Sequence, residues 1–269
     1  MTQQLEETEM VGIGHYELDG VRVERSPRWV RAYFGGRPVA DSKRVLLVFE
    51  PRRLPVYYFP VADVRMDLLR PSDYSSSSGG AASDRMRWTL DSEGRTVTNA
   101  AWSYPQPDQA HSPLKDYVAF YWDKLDQWFE EDQEVFVHPR DPHKRVDVMQ
   151  SSRHVRVVVD GQVIAETQRP HLLFETDLPT RYYIPPMDVR LDLLEKSETV
   201  TQCPYKGRAV YWSVRVGDQV HKDLVWSYPF PIPECTRIAQ LMAFYNEKLD
   251  IYVDGQLQPK PKTNWSPGL

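Results

Sequence analysis

Residues 155–167, VRVVVDGQVIAET, read as a β-hairpin. Val155, Val157 and Val159 alternate onto one face, Asp160-Gly161 suits a two-residue turn whose centres both need positive φ, and the strand resumes with Val163 and Ala165. Residues 30–42, VRAYFGGRPVADS, repeat the pattern with Gly35-Gly36 at the turn. The self-match then runs down the chain: LPVYYFPVADVRMDLL (54–69) with LPTRYYIPPMDVRLDLL (178–194), AAWSYPQP (100–107) with LVWSYPFP (224–231), and AFYWDKLD (119–126) with AFYNEKLD (243–250). Because the offset drifts by a single residue, these are two copies of one module and not a solenoid of small repeats. The expected boundaries are a disordered leader at 1–19, a first module at 20–135, a linker FVHPRDPHKR at 136–145, a second module at 146–256 and a proline-rich tail at 257–269.

Each module reads as antiparallel strands. DVRLDLL alternates Val189, Leu191 and Leu193 against Arg190 and Asp192, and YWSVRVGDQVHKDLVWSYP turns at Gly217-Asp218. One short helix is predicted near the end of each module. In the second, Ile238, Leu241, Met242 and Tyr245 recur at helical spacing; in the first, Ser112-Pro113 places a cap residue before a first-turn proline. The predicted class is mainly β with one short helix per module.

Composition narrows the function. A chain of 269 residues with 41% hydrophobic residues can bury two cores, and a net charge of −5 argues against neutralising phosphates, so no nucleic-acid partner is expected. No window reaches the length of a membrane span, so a cytoplasmic protein with no membrane partner is expected. The two cysteines, Cys203 and Cys235, lack any Cys-x-x-Cys spacing, which makes a disulfide framework unexpected. Oligomeric state is not legible.

The run RYYIPPMDVRLDLL, TQCPYKGRAVYWSV, VWSYPFP and AFY, in that order, closely resembles a bacterial and fungal family known as domain of unknown function 427, whose members carry Cys-Pro-x-Lys-Gly before an aromatic strand. The resemblance covers the second copy fully and the first more loosely. It implies a β-tent, or Mss4-like, fold of two antiparallel sheets meeting at an angle. Some proteins of that architecture hold zinc in paired Cys-x-x-Cys knuckles; with none here, no zinc is expected. The family has also been labelled nucleotidyltransferase-like. This chain shows no glycine-rich phosphate loop and no clustered Asp pair to support that label.

The copies differ where TQCPYKGRAVYW (201–212) stands. The first copy has YSSSSGGAASDRMRW (74–88), which keeps the frame and loses the cysteine, proline, tyrosine and lysine. The asymmetry nominates Cys203 as a nucleophile and Tyr205 and Lys206 as groups that orient a polar or anionic ligand, with His171 as candidate general base. Arg181, present only in the second copy, is the candidate anion clamp, and Tyr183, Trp212, Trp226 and Tyr228 the candidate ligand-binding aromatics. The competing readings are a buried small cysteine, a solvated turn lysine, a structural histidine, a surface ion pair and core packing of an aromatic set that both copies share. Asp63 and Asp188, at one place in each copy, suit a turn hydrogen bond; His138, Asp141 and His143 lie in a proline-broken linker poorly suited to a metal.

The leading expectation is a small-molecule enzyme without a nucleotide cofactor, its site in the second module, performing acid/base, hydrolytic or isomerising chemistry. The alternative is a non-catalytic metabolite- or peptide-binding module, and the third reading is nucleotidyl transfer. If the turn holds the site, Lys206→Ala and Tyr205→Phe are expected to lower function at a cost of no more than ~1 kcal/mol in stability.

Overall fold

The computed structural model of the protein describes residues 15–72 and 85–263. The expected leader up to residue 14, most of the first copy's Ser/Gly loop and the end of the tail lie outside the described residues. The chain divides into two compact units between Arg140 and Asp141.

In the first unit an eight-stranded antiparallel sheet runs, in spatial order, His15–Leu18, Val21–Arg25, Leu46–Phe49, Val56–Pro60, Tyr117–Phe120, Arg95–Ser103, Met86–Ser92, Leu69–Pro71. A second sheet of four runs Gln133–Glu134, Gln127–Glu130, Val30–Phe34, Arg37–Ser42. The second unit repeats this order strand for strand, without the first edge strand. Its seven-stranded sheet runs Val146–Gln150, His171–Glu175, Arg181–Ile184, Met242–Phe244, Gln219–Ser227, Gly207–Val216, Leu194–Cys203. Its four-stranded sheet runs Gln162–Thr167, Val155–Val159, Asp250–Val253, Gln256–Leu257. The class is therefore mainly β, built twice.

The predicted turn is formed: Asp160 and Gly161 have φ of 48° and 78°, and Gly35 and Gly36 have 60° and 73°. The face downstream differs from expectation. A bulge between Val157 and Val158 shifts the register, so that Ile164, not Val163, joins Ala165 in the core. DVRLDLL is not a strand. It forms two 3-10 turns, Pro186–Asp188 and Leu191–Leu193, and Arg190 grips Asp192 two residues away (2.6 Å), which accounts for their shared face. Asp188 fixes this corner, as the shared position suggested: it accepts Thr167 Oγ1 (2.7 Å) and the fork of Arg169, just as Asp63 accepts Ser42 and Arg44 in the first unit.

The helix predicted near the end of each module is a short 3-10 segment, Ser112–Leu114 in the first and Pro233–Ile238 in the second, and each unit has other 3-10 turns besides, so the expected single helix per module is not what forms. The helical spacing of Ile238, Leu241, Met242 and Tyr245 misleads: Gln240 adopts φ +60°, which ends the segment, and Met242–Phe244 enters the large sheet.

Two cores follow in the second unit. Between its sheets, Val155, Val157 and Ile251 of the small sheet meet Tyr182, Ile184, Val225 and Phe244 of the large one. On the other face of the large sheet, Leu173, Tyr183, Tyr211, Trp226 and Tyr228 are roofed by Cys235 and Ile238 of the 3-10 segment. Because Phe244 is sealed and Phe230 is 87% exposed, Phe244→Ala should lower unfolding free energy by ~3–5 kcal/mol in a denaturant titration, and Phe230→Ala by less than about 0.5 kcal/mol.

Candidate functional site

Cys203-Pro204-Tyr205-Lys206-Gly207 is the hairpin turn between the strands Leu194–Cys203 and Gly207–Val216, closed by Lys206 N–H to the Cys203 carbonyl (3.4 Å). Proline suits the first corner position, and Gly207 (φ +103°) sits where a Cβ would come within 3.3 Å of the Phe230 carbonyl oxygen. That tight approach lets Ile232 N–H reach the Lys206 carbonyl (3.1 Å), tying the turn to the chain that leads into Pro233–Ile238.

Lys206 is not a solvated turn lysine. It is 9% exposed, and its Nζ donates to Glu175 Oε2 on the strand His171–Glu175. The strand register puts these residues at diagonally opposite corners of the large sheet. A twist of roughly 20–25° per strand raises opposite corners over one face, and there the pair closes. Burial opposes the ammonium charge, but the Cys203 sulfur and the Glu175 carboxylate outweigh it and hold Lys206 above the ordinary lysine value.

The other motif groups are similarly engaged. The Tyr205 hydroxyl accepts Asp141 N–H (2.9 Å), and burial pushes it up to about 12. Cys203 is half-buried against the aromatic face, and Cys235 donates its thiol to the Tyr205 carbonyl (3.3 Å). Burial pushes Cys235 up to about 11. Tyr183 accepts the Trp226 indole N–H (3.2 Å), and burial, reinforced by Tyr183 and Cys203 nearby, holds Tyr228 well above the usual tyrosine value.

Four expectations need correction. Trp212 does not share a cleft with Trp226: Tyr211 lies opposite Trp226 and Trp212 opposite Val225, and neighbours along a strand point to opposite faces. His171 makes no hydrogen bond to Cys203; it lies near Arg237, and burial together with that positive charge lowers its pKa. The residue that reaches the turn is Glu175, four positions further on, roughly 13 Å at ~3.3 Å per residue. Arg181 is neither a surface ion pair nor an open clamp, since both terminal nitrogens bind the carboxylate of buried Glu247 (2.7 and 2.6 Å). Burial works against the Glu247 charge, but bonds from Arg181 and Thr263 hold it below the usual carboxylate range. Finally, the burial of Lys206 invalidates the small stability cost expected of its removal.

Glu175 escaped the sequence reading, although a signal existed: LLVFE (46–50) and HLLFE (171–175) both end an apolar run with glutamate. In the first unit Glu50 meets His111 Nε2 (3.2 Å), Arg85 (3.3 Å) and Arg53 (2.7 Å), while Arg85 also donates to the Tyr104 hydroxyl (2.5 Å). The aromatic frame is duplicated too: Trp102 donates to Tyr58 (2.9 Å) as Trp226 does to Tyr183. His111 stands at the place that Cys235 takes in the second copy.

A separate groove opens on the inter-sheet face of the second unit. It holds about 420 Å³, with Trp212, Leu191, Leu194 and Met242 as apolar walls and Ser227 and Gln240 as polar lining. In the first unit the counterpart Trp88 donates its indole N–H to Ser103 (3.0 Å); Trp212 makes no matching bond to Ser227, although both line the groove. Among the described residues, no group of three or more His, Cys, Asp and Glu side chains is placed to hold a metal ion, and no helix is long and apolar enough to cross a membrane.

Residues 22–131 and 147–255 both match the family described as a domain of unknown function (DUF427), and the chain belongs to that family, with two tandem copies of its domain. A search of curated proteins gave no match.

Removing the lysine leaves a buried carboxylate alone. Lys206→Ala should therefore lower unfolding free energy by ~3–5 kcal/mol, read from denaturant titration; a loss under about 1 kcal/mol would show the ammonium to be solvated.

Proposed function

We propose that the second module is a non-catalytic small-molecule binding module, whose ligand is a compact, flat, largely apolar molecule with one hydrogen-bonding edge. The observation that carries this reading is the Trp212 groove. Its volume falls within the range of small-ligand sites, and its walls are apolar with a few polar groups placed to fix orientation. A ring stacked on the face of Trp212 would turn its polar edge to Ser227, whose counterpart Ser103 in the first unit accepts the tryptophan's indole N–H.

Catalysis at the Cys-Pro-Tyr-Lys-Gly turn draws less support. A lysine that orients an anion has to offer it an unmatched charge, and Lys206 spends that charge on Glu175. Arg181 is matched by Glu247 in the same way. Among the described residues, no cluster of metal-binding side chains lends support to nucleotidyl transfer.

A thermal-shift screen with flat heterocyclic amides and lactams tests the proposal. Ligand at a hundred times its Kd should stabilise the protein by about 2.7 kcal/mol. Leu191→Glu, which puts a charge on a groove wall at a half-exposed position, should abolish the shift, and Cys203→Ser should preserve it, with no ligand consumed. A shift that survives Leu191→Glu, or turnover that vanishes in Cys203→Ser, would contradict the groove reading.

A further inference from the structure

The chain has only two cysteines, 203 and 235, and the fold brings both to one cluster although they are far apart in sequence. Cys203 ends a strand and is half-buried; Cys235 is fully buried in the 3-10 segment Pro233–Ile238. The Cys235 sulfur is hydrogen-bonded to the carbonyl of Tyr205, inside the turn that begins at Cys203 (3.3 Å). Two further ties hold the chain leading into the segment against that turn: Ile232 N–H to the Lys206 carbonyl and the bridge between Gly207 and Pro231. The first unit has neither sulfur.

We infer that Cys203 and Cys235 form a peroxide-responsive thiol pair, with Cys203 the attacking thiol and Cys235 the resolving one. Their surroundings assign the roles. Cys203 is the less buried of the two, half-buried at the end of its strand, and so is the one a small oxidant meets first, attacking as its thiolate, the nucleophilic form. Cys235 is sealed from solvent, and burial keeps it as the thiol, suited to react only with a neighbouring group.

The chemistry balances with hydrogen peroxide as the oxidant. The Cys203 thiolate attacks one peroxide oxygen, the O–O bond breaks, hydroxide leaves, and sulfenic acid forms on Cys203. The Cys235 sulfur then attacks the Cys203 sulfur, the S–O bond breaks, and the thiol proton leaves with the hydroxyl as water. Two thiols are oxidised to one disulfide as one peroxide is reduced to two waters. The product would pin the motif turn covalently to the 3-10 segment, a state independent of any ligand in the Trp212 groove.

The test is to treat the full-length reduced protein with hydrogen peroxide and map its peptides without reduction. The expected product joins the Cys203 and Cys235 peptides within one chain and is restored by dithiothreitol. Cys235→Ser should lose the cross-link and accumulate sulfenic acid on Cys203, captured by dimedone. Cys203→Ser should lose the cross-link and leave Cys235 unmodified; this second variant keeps the test decisive if the buried substitution prevents folding. An intermolecular disulfide, sulfinic acid on Cys203 with Cys235 still free, or modification of Cys235 in Cys203→Ser would overturn the inference.

Discussion

A carboxylate withdrawn from water on the outer face of each large sheet has to be met by a cation, and much of each module is arranged around that requirement. Glu50 and Glu175 occupy one address in the repeat. A buried ion is expensive to desolvate, and its partner's removal strands it, so the surrounding chain is constrained to deliver a positive group to that spot. The second module does so with Lys206, carried by a turn that Pro204 and Gly207 shape and that the chain before Pro233 clamps. The first module answers with Arg85 and Arg53 from two segments, and His111 Nε2 adds a hydrogen-bond contact from a third. One demand has thus been met by two chemistries on a common aromatic frame.

This view separates the two faces of the large sheet in the second unit. On the outer face the charged groups are consumed internally: Lys206 by Glu175, Arg181 by Glu247, the Tyr205 hydroxyl by Asp141 N–H. The inter-sheet face carries the Trp212 groove, where apolar walls surround few polar atoms. The copies therefore differ in two ways, a rebuilt latch on one face, marked in the sequence, and on the other a groove whose Trp212 and Ser227 match Trp88 and Ser103 in type but lack their hydrogen bond.

Much of the architecture was legible because its signals are local. Alternating valines, Asp160-Gly161 and Gly35-Gly36 specify hairpins over a dozen residues, and the repeat supplied the module count without any long-range contact. Asp63 and Asp188 were legible for the same reason. What failed was long-range or hidden in backbone geometry. The meeting of Lys206 with Glu175 depends on twist accumulated across the sheet, which no spacing rule contains. Periodicity near Ile238 read as a helix because the positive φ of Gln240 has no strong sequence mark. Trp212 and Trp226 looked like one aromatic wall until the register placed them on opposite faces. Glu175 was within reach of the repeat comparison, but a lone glutamate after apolar residues reads as a strand end.

The central claim, that the motif turn is a latch closed by a buried charge pair, is tested most directly by a double-mutant cycle on Lys206 and Glu175. Unfolding free energies of the wild type, Lys206→Met, Glu175→Leu and the double variant would be compared. The account predicts that the double variant is more stable than either single variant, with a coupling of ~2–3 kcal/mol, because each single change strands a charge that the double change removes. Additive losses, with coupling below about 0.5 kcal/mol, would mean that both groups are solvated and that the turn is held by its backbone alone.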